Sequence, residues 1–162
     1  MLITKIETQT KVWSQRESRE AVRAVIRKED QLLMVYIKSR STYIFPGGGI
    51  EANESMEDTC LREAKEESGA IVKIIRYLGF IDEYSDSKYY EMEYNLKSHY
   101  YECELLELAE QNLLGYEERL GFEARFVTIE EALRHNVAKK DSTEPYLRRN
   151  IELLTLLKQN KL

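Results

Sequence analysis

The sequence predicts an α/β sandwich built on a mixed β-sheet, and three observations carry that prediction. β-Branched and tyrosine-rich runs of strand length recur along the chain. Three segments with helical periodicity and capping residues are interspersed among them. The 162 residues, 43% hydrophobic and 33% charged, contain no repeat, low-complexity tract or Pro/Gly-rich linker, which fits one domain with one substantial core.

Ala21-Val22-Arg23-Ala24-Val25-Ile26 reads as a strand, and Gln31 to Ile37 as its hairpin partner across Lys28-Glu29-Asp30. Tyr43-Ile44-Phe45 is a short extended piece ending at Pro46 and a Gly47-Gly48-Gly49 turn, where glycines permit positive φ and close backbone approach. A helix is expected from Met56 to Ser68, with Ser55 as N-cap, Asp58 three residues on, and Gly69 closing it. Three antiparallel strands should follow, over Ile71 to Ile81, Tyr89 to Tyr94 and His99 to Leu106. Glu107 to Leu120 reads as a loop or short helix and Arg125-Phe126-Val127 as a strand. Thr128 to Leu133 begins a capped helix. A final amphipathic helix carries Leu147, Ile151, Leu154 and Leu157 on one stripe.

The first of these helices holds the residues most informative about function. At about 100° per residue, Met56, Thr59, Cys60 and Ala64 share a broad sector, and Glu63, Glu66 and Glu67 fall within it. Glu57, Asp58 and Lys65 lie outside. A bare carboxylate on an inward face costs several kcal/mol unless a cation or proton accompanies it. Glu63 and Glu67 are also a like-charged i,i+4 pair, unfavourable by about 0.2–0.5 kcal/mol even on an exposed helix. Arg62 can pair with Glu66 but cannot neutralise three charges. The pattern therefore points to a hard-metal site, and all-oxygen ligands without nearby histidine or thiolate favour Mg²⁺ or Mn²⁺ over zinc. The glycines just upstream bring backbone groups within reach of a metal–phosphate group. They match neither a Walker A loop nor a dinucleotide fingerprint.

Other features restrict the function classes. A formal charge of −5 gives no general footprint for nucleic acid. Cys60 and Cys103 are too few for a disulfide framework or a Cys-type zinc site, and read as reduced thiols. The N-terminus has no apolar leader pattern and no segment approaches a membrane span, so a cytoplasmic protein is expected.

Gly48, five residues, Glu54, seven residues, Arg62-Glu63-Ala64, any residue, Glu66-Glu67, any residue, Gly69-Ala70 is similar to the Nudix box, complete at every charged and glycine position, with alanine in both aliphatic slots. The flanking strand order and the Thr128–Leu133 segment also resemble the Nudix hydrolase family (MutT-like). The resemblance implies a single Nudix domain over residues 1–162, a Nudix-type α/β/α sandwich with a mixed sheet. It also implies hydrolysis of the diphosphate linkage of a nucleoside diphosphate joined to a further moiety, by water attack at phosphorus. Glu63, Glu66, Glu67 and the Gly48 carbonyl would hold Mg²⁺, Arg62 would orient the glutamates, and Glu54 would support the loop–helix junction or a second metal. Glu63 and Glu67 would be catalytic. A helper carboxylate often precedes the strand leading into the late helix in this family. Glu117-Glu118, in a Gly115–Gly121 segment expected to be a mobile loop, supplies candidates, with Glu118 favoured for its nearness to that strand.

Arg23, Gly47 and Phe45 are the substrate-binding candidates. Arg23 is positioned for phosphates or for a structural carboxylate, and Tyr43 and Phe45 for base stacking or core packing. His99 and His135 stand apart from any catalytic pattern. In each of the pairs Tyr89-Tyr90 and Tyr100-Tyr101, alternation predicts one core residue and one available to a pocket. Pro46 and Pro145 are the only prolines, so the proline that often follows the box in ADP-sugar hydrolases is absent. Tyr84 and Tyr89 only bracket the tyrosine position of diadenosine polyphosphate hydrolases. Two other readings are a nucleotide-sensing Nudix-like module without catalysis, and an interaction protein that dimerises through the C-terminal helix.

Overall fold

The computed structural model describes residues 1–142 and 144–162. The strands are β1 (Leu2–Glu7), β2 (Arg16–Lys28), β3 (Gln31–Ile37), β4 (Thr42–Ile44), β5 (Gly47–Gly49), β6 (Ala70–Asp86), β7 (Glu93–Leu108) and β8 (Phe122–Val127). The helices are α1 (Met56–Ser68), α2 (Gly115–Leu120), α3 (Ile129–Val137) and α4 (Pro145–Lys158). The sheet runs β1-β6-β7-β2-β3-β4, with β5 pairing β2 and β8 pairing β3. β1–β6 and β2–β7 are parallel and the other pairs antiparallel, so the sheet is mixed as the sequence predicts.

Strand alternation produces the sandwich. Val22, Ala24 and Ile26 of β2, with Tyr101 and Cys103 of β7, pack beneath Cys60 and Ala64 of α1. Val25, Leu32, Met34 and Tyr100 face the other way, onto Ala132 of α3 and Leu153, Leu154 and Leu157 of α4. One sheet thus has two buried faces, each covered by helix. Of the predicted α4 stripe, Leu154 and Leu157 lie in this core and Leu147 is buried, while Ile151 is partly exposed.

Several local expectations are corrected. The three strands expected after α1 are two long ones, β6 and β7, because Tyr89-Tyr90 belongs to the connecting segment and not to a strand. Tyr89 and Tyr90 are both exposed. Tyr100 and Tyr101 are both buried, one on each face of the sheet. Gly47–Gly49 is a strand, not a turn, and none of the three has positive φ. Glycine is required there for closeness: a Cβ on Gly47 would overlap the Val22 carbonyl and lie 2.6 Å from Arg23 Cγ. The segment read as a mobile loop before β8 is helix α2.

The α1 caps follow the sequence closely. Ser55 accepts the Asp58 N–H at 3.0 Å, and Gly69 closes the helix at φ 73°. The chain after β7 then grips the C-terminal end of α1, where Asn112 N–H donates to the Glu66 carbonyl at 2.7 Å and Gln111 to the Glu67 carbonyl at 2.5 Å. The last turn of α1, which carries Glu66 and Glu67, is held from outside as well as by its own ladder. Among the described residues no helix is long and apolar enough to cross a membrane.

Candidate active site

The acidic sector of α1 grades from solvent to core. Glu57, Asp58 and Lys65 are exposed, Glu63 and Glu66 partly buried, and Glu67 is 6% exposed. Glu67 tucks under β5, where its carboxylate accepts the Gly47 N–H at 3.0 Å. A Cβ on Gly48 would lie 2.5 Å from Glu63 Cδ, so this glycine leaves room for the Glu63 carboxylate. β5 and α1 therefore approach each other only because the sequence has glycines at their junction.

Arg62 ties the carboxylates together. Its Nε and Nη2 donate to Glu54 at 2.6 and 2.9 Å, its Nη1 to Glu63 at 2.6 Å and to Glu66 at 3.2 Å, and its Nη2 also to the Gly49 carbonyl at 3.1 Å. This fork holds the Glu54 carboxyl down at about 2, helped by Thr59. Glu54 also accepts the Glu51 N–H at 3.1 Å, so it braces the loop–helix junction.

The same cation does not relieve the remaining acids. Burial pushes Glu63 up despite its bond to Arg62, and the charges of Glu66 and Glu117 add to that rise. Glu67 is raised well above the usual carboxylate range, by burial first and by Glu117 and Glu63 next, against the opposing Gly47 N–H and Arg23.

The cleft beside these groups has a volume of about 320 Å³. Gly47, Gly48, Gly49 and Glu67 form one wall, Arg19, Arg23, Arg40 and Arg149 supply cations, and Tyr94, Tyr116, Phe122 and Tyr146 supply rings. Arg23, partly buried, has among the described residues a single long side-chain bond, Nε to Ser98 at 3.4 Å. Among the described residues it carries no carboxylate ion pair, unlike Arg149, whose Nη1 meets Glu83 at 2.8 Å.

Three sequence expectations change here. Phe45 is fully buried, edge-on to Tyr100 at 6.1 Å, and its N–H donates to Asn150 of α4 at 3.0 Å. It is a core residue and cannot stack on a base. Tyr43 is likewise core, bonded through its backbone to Asn136 of α3. Glu118 is exposed and lies on the side of Ser68 and Leu108, away from the cleft. Its neighbour Glu117 is 5% exposed, bonds the Leu114 N–H at 2.8 Å, and faces Glu63 and Glu67. Arg149 of α4 and the tyrosines of the cleft were not singled out from the sequence.

Among the described residues no three Glu, Asp, His or Cys side chains stand as a ready metal cage. Glu63 and Glu66 turn to Arg62, and Glu67 to Gly47. The donor set still suits a hard dication: carboxylate oxygens, raised by burial and mutual charge, beside a glycine strand whose missing Cβ leaves them room.

Known proteins share this fold. The NUDIX domain profile matches residues 17–147. The chain belongs to the Nudix family. An ADP-ribose pyrophosphatase of Methanocaldococcus jannaschii is 36% identical over 62 residues, 36% of this chain and 37% of that protein. YtkD of Bacillus subtilis, named as an 8-oxo-dGTP diphosphatase, is 57% identical over 37 residues, 23% of each chain. The matches thus span well under two thirds of these Nudix relatives' length. Among solved structures, a Nudix hydrolase from Nitrosomonas europaea superposes with a TM-score of 0.61 at 21% identity, over 84% of this chain and 87% of that one. The E. coli ORF135 protein gives 0.58 at 18%, over 90% and 91%. At these identities the structures speak for the Nudix fold.

Proposed function

We propose that this Nudix chain is a Mg²⁺-dependent pyrophosphohydrolase, with Mn²⁺ as a substitute, that cleaves the diphosphate linkage of a nucleoside diphosphate derivative by water attack at phosphorus. The observation that carries the reading is one cluster: Glu63, Glu66 and Glu67 next to the Gly47–Gly49 strand, opening on a cleft where, among the described residues, Arg19 and Arg23 have no carboxylate ion pair while Arg40 and Arg149 do. The two relatives named for diphosphate cleavage support the same class of substrate.

Glu63, Glu66, Glu67 and the Gly48 carbonyl would hold the cation. When bound, it would neutralise the diphosphate and lower the pKa of the attacking water. Arg62 orients Glu63 and Glu66 from one guanidinium. Arg23, and Arg19 at the cleft wall, pair with phosphate oxygens. Glu67, and Glu117 across from it, are the groups positioned to take a proton from water.

The test is a panel of oxidised nucleotides, nucleoside triphosphates, nucleotide sugars, dinucleotides and capped RNA ends, read by phosphate release and product mass. Turnover that requires Mg²⁺ and is abolished by chelation is expected. Nucleotide binding with no turnover of any member would favour the sensing reading.

A further inference from the structure

A second chamber of about 510 Å³ opens beside the cleft, and Arg19, Tyr94, Leu96, Tyr146 and Arg149 line both. The two are therefore one continuous site with two halves. The cleft half carries Glu67 and the glycine strand. The other half carries Tyr89 and Tyr90, from the segment between β6 and β7, which are 85% and 62% exposed and belong to no core cluster.

The floor between the halves is a built polar site. Arg149 is 4% exposed and Glu83 2%, joined at 2.8 Å. Among the described residues Arg149 Nε has no partner. Buried polar groups are normally satisfied, and an unmade N–H on a buried guanidinium is disfavoured. Arg149 lines both chambers, so a ligand that spans them lies against its side chain.

Resting on the pyrophosphohydrolase reading, we infer that the second chamber receives the nucleoside half of the substrate, with the base laid against Tyr89 and Tyr90 and its edge against Glu83 and Arg149. A planar base has a π-face for the tyrosines. It also carries adjacent donors and acceptors on its edge, which suit a carboxylate beside a guanidinium. A sugar or alkyl group on the far phosphate offers no such face. The phosphates would then run past Arg19 towards Glu67.

Binding of the four common nucleoside 5′-monophosphates and of ribose 5-phosphate, measured by calorimetry in magnesium buffer, tests this. At least one monophosphate should bind about tenfold or more tighter than ribose 5-phosphate, the scale of one stacked base. The double variant Tyr89→Ala/Tyr90→Ala should weaken that monophosphate about tenfold and leave ribose 5-phosphate unchanged. Because both side chains are exposed, its melting temperature should match the parent's. Glu83→Gln, which exchanges an acceptor for a donor, should alter the ranking among the four bases. Equal binding of all five ligands, or a base preference that survives the double variant, would overturn the inference. Failure of the hydrolase reading would look different: base-dependent binding intact and no phosphate released from any nucleotide.

Discussion

The Gly47 backbone N–H donates to the buried Glu67 carboxylate at 3.0 Å, fastening the last turn of α1 to the glycine strand. One neutral N–H does not compensate a carboxylate removed from water, and Glu67 is accordingly raised well above its ordinary range. The hydrogen bond fixes the position of Glu67, and burial with neighbouring charge sets its proton affinity.

Glu67→Gln is expected to lower kcat by about 10² or more, the scale of a lost proton-transfer or ligand group, without loss of fold. The amide oxygen can still accept the Gly47 N–H. Glu67 and Glu63 are both raised in the folded state, so their contribution to stability is fully present below the unfolded carboxyl value of about 4.3 and is lost as pH rises through their folded values. Metal-free parent protein should therefore lose stability on going up from mildly acidic pH, and Glu67→Gln should lose less. Thermal melts in chelator across pH 4.5–8 would check this, and a folded Glu67→Gln enzyme with full activity would remove Glu67 from the mechanism.

Millimolar Mg²⁺ should raise the parent's melting temperature at neutral pH and release protons at mildly acidic pH, because a dication replaces the proton these carboxyls favour. Glu67→Gln should show a smaller response in both. A parent melting curve indifferent to Mg²⁺ and Mn²⁺ would count against the site.

Much of this was legible in the sequence, for specific reasons. The α1 limits, its Ser55 cap and its Gly69 stop follow from local chemistry, and the Glu63/Glu66/Glu67 sector follows from helical period. The role of the glycines was half legible: they are needed, but for contact with Glu63 and Val22, which lie far along the chain, and not for φ. The burial of Phe45 depends on Asn150, 105 residues away, which completes the amide pairing of the chain at β4. No local pattern reports such a partner. Cys60 and Cys103 read only as two reduced thiols, yet α1 crosses β7 so that their sulfurs lie 3.8 Å apart, both free.

Gly48→Ala should separate site geometry from folding. The added methyl displaces the Glu63 carboxylate from Arg62, a movement a flexible side chain can make, so the cost in stability should stay within about 1–2 kcal/mol. Activity should fall by an order of magnitude or more. Urea denaturation beside steady-state kinetics would show it, and an unchanged kcat would mean Glu63 does not need its present position.

Glu54 has the opposite sign of pH linkage. Its carboxyl sits at about 2, held there first by Arg62, so its contribution is present above about 4.3 and is lost as pH falls towards 2. Glu54→Gln should be less stable than the parent at pH 6 by about 1–3 kcal/mol, a charge-assisted bond lost. The difference should shrink in acid. A gap that stays constant down to pH 2.5 would show that the Arg62 fork is not what Glu54 contributes.

Glu117 and Glu118 offer the most direct test of which carboxylate assists the metal helix. Both are acidic residues of the first turn of α2 and adjacent in sequence, yet a helix separates neighbours by about 100° and sends them to different surroundings. Glu118 points to solvent near Ser68 and Leu108, and its loss should change kcat less than twofold. Glu117 is buried, faces Glu63 and Glu67, and is held by the Leu114 N–H at 2.8 Å. Glu117→Ala confounds two effects, since it also removes that bond from a short helix. Glu117→Gln keeps an acceptor for the Leu114 N–H and removes only the charge. If Glu117 takes a proton from water or steadies the cation, Glu117→Gln should reduce kcat by about 10²–10³ with a melting temperature close to the parent's. If its role is only to cap α2, Glu117→Gln should be active and Glu117→Ala merely unstable. That outcome would leave Glu67 and Glu63 as the remaining candidates for the base.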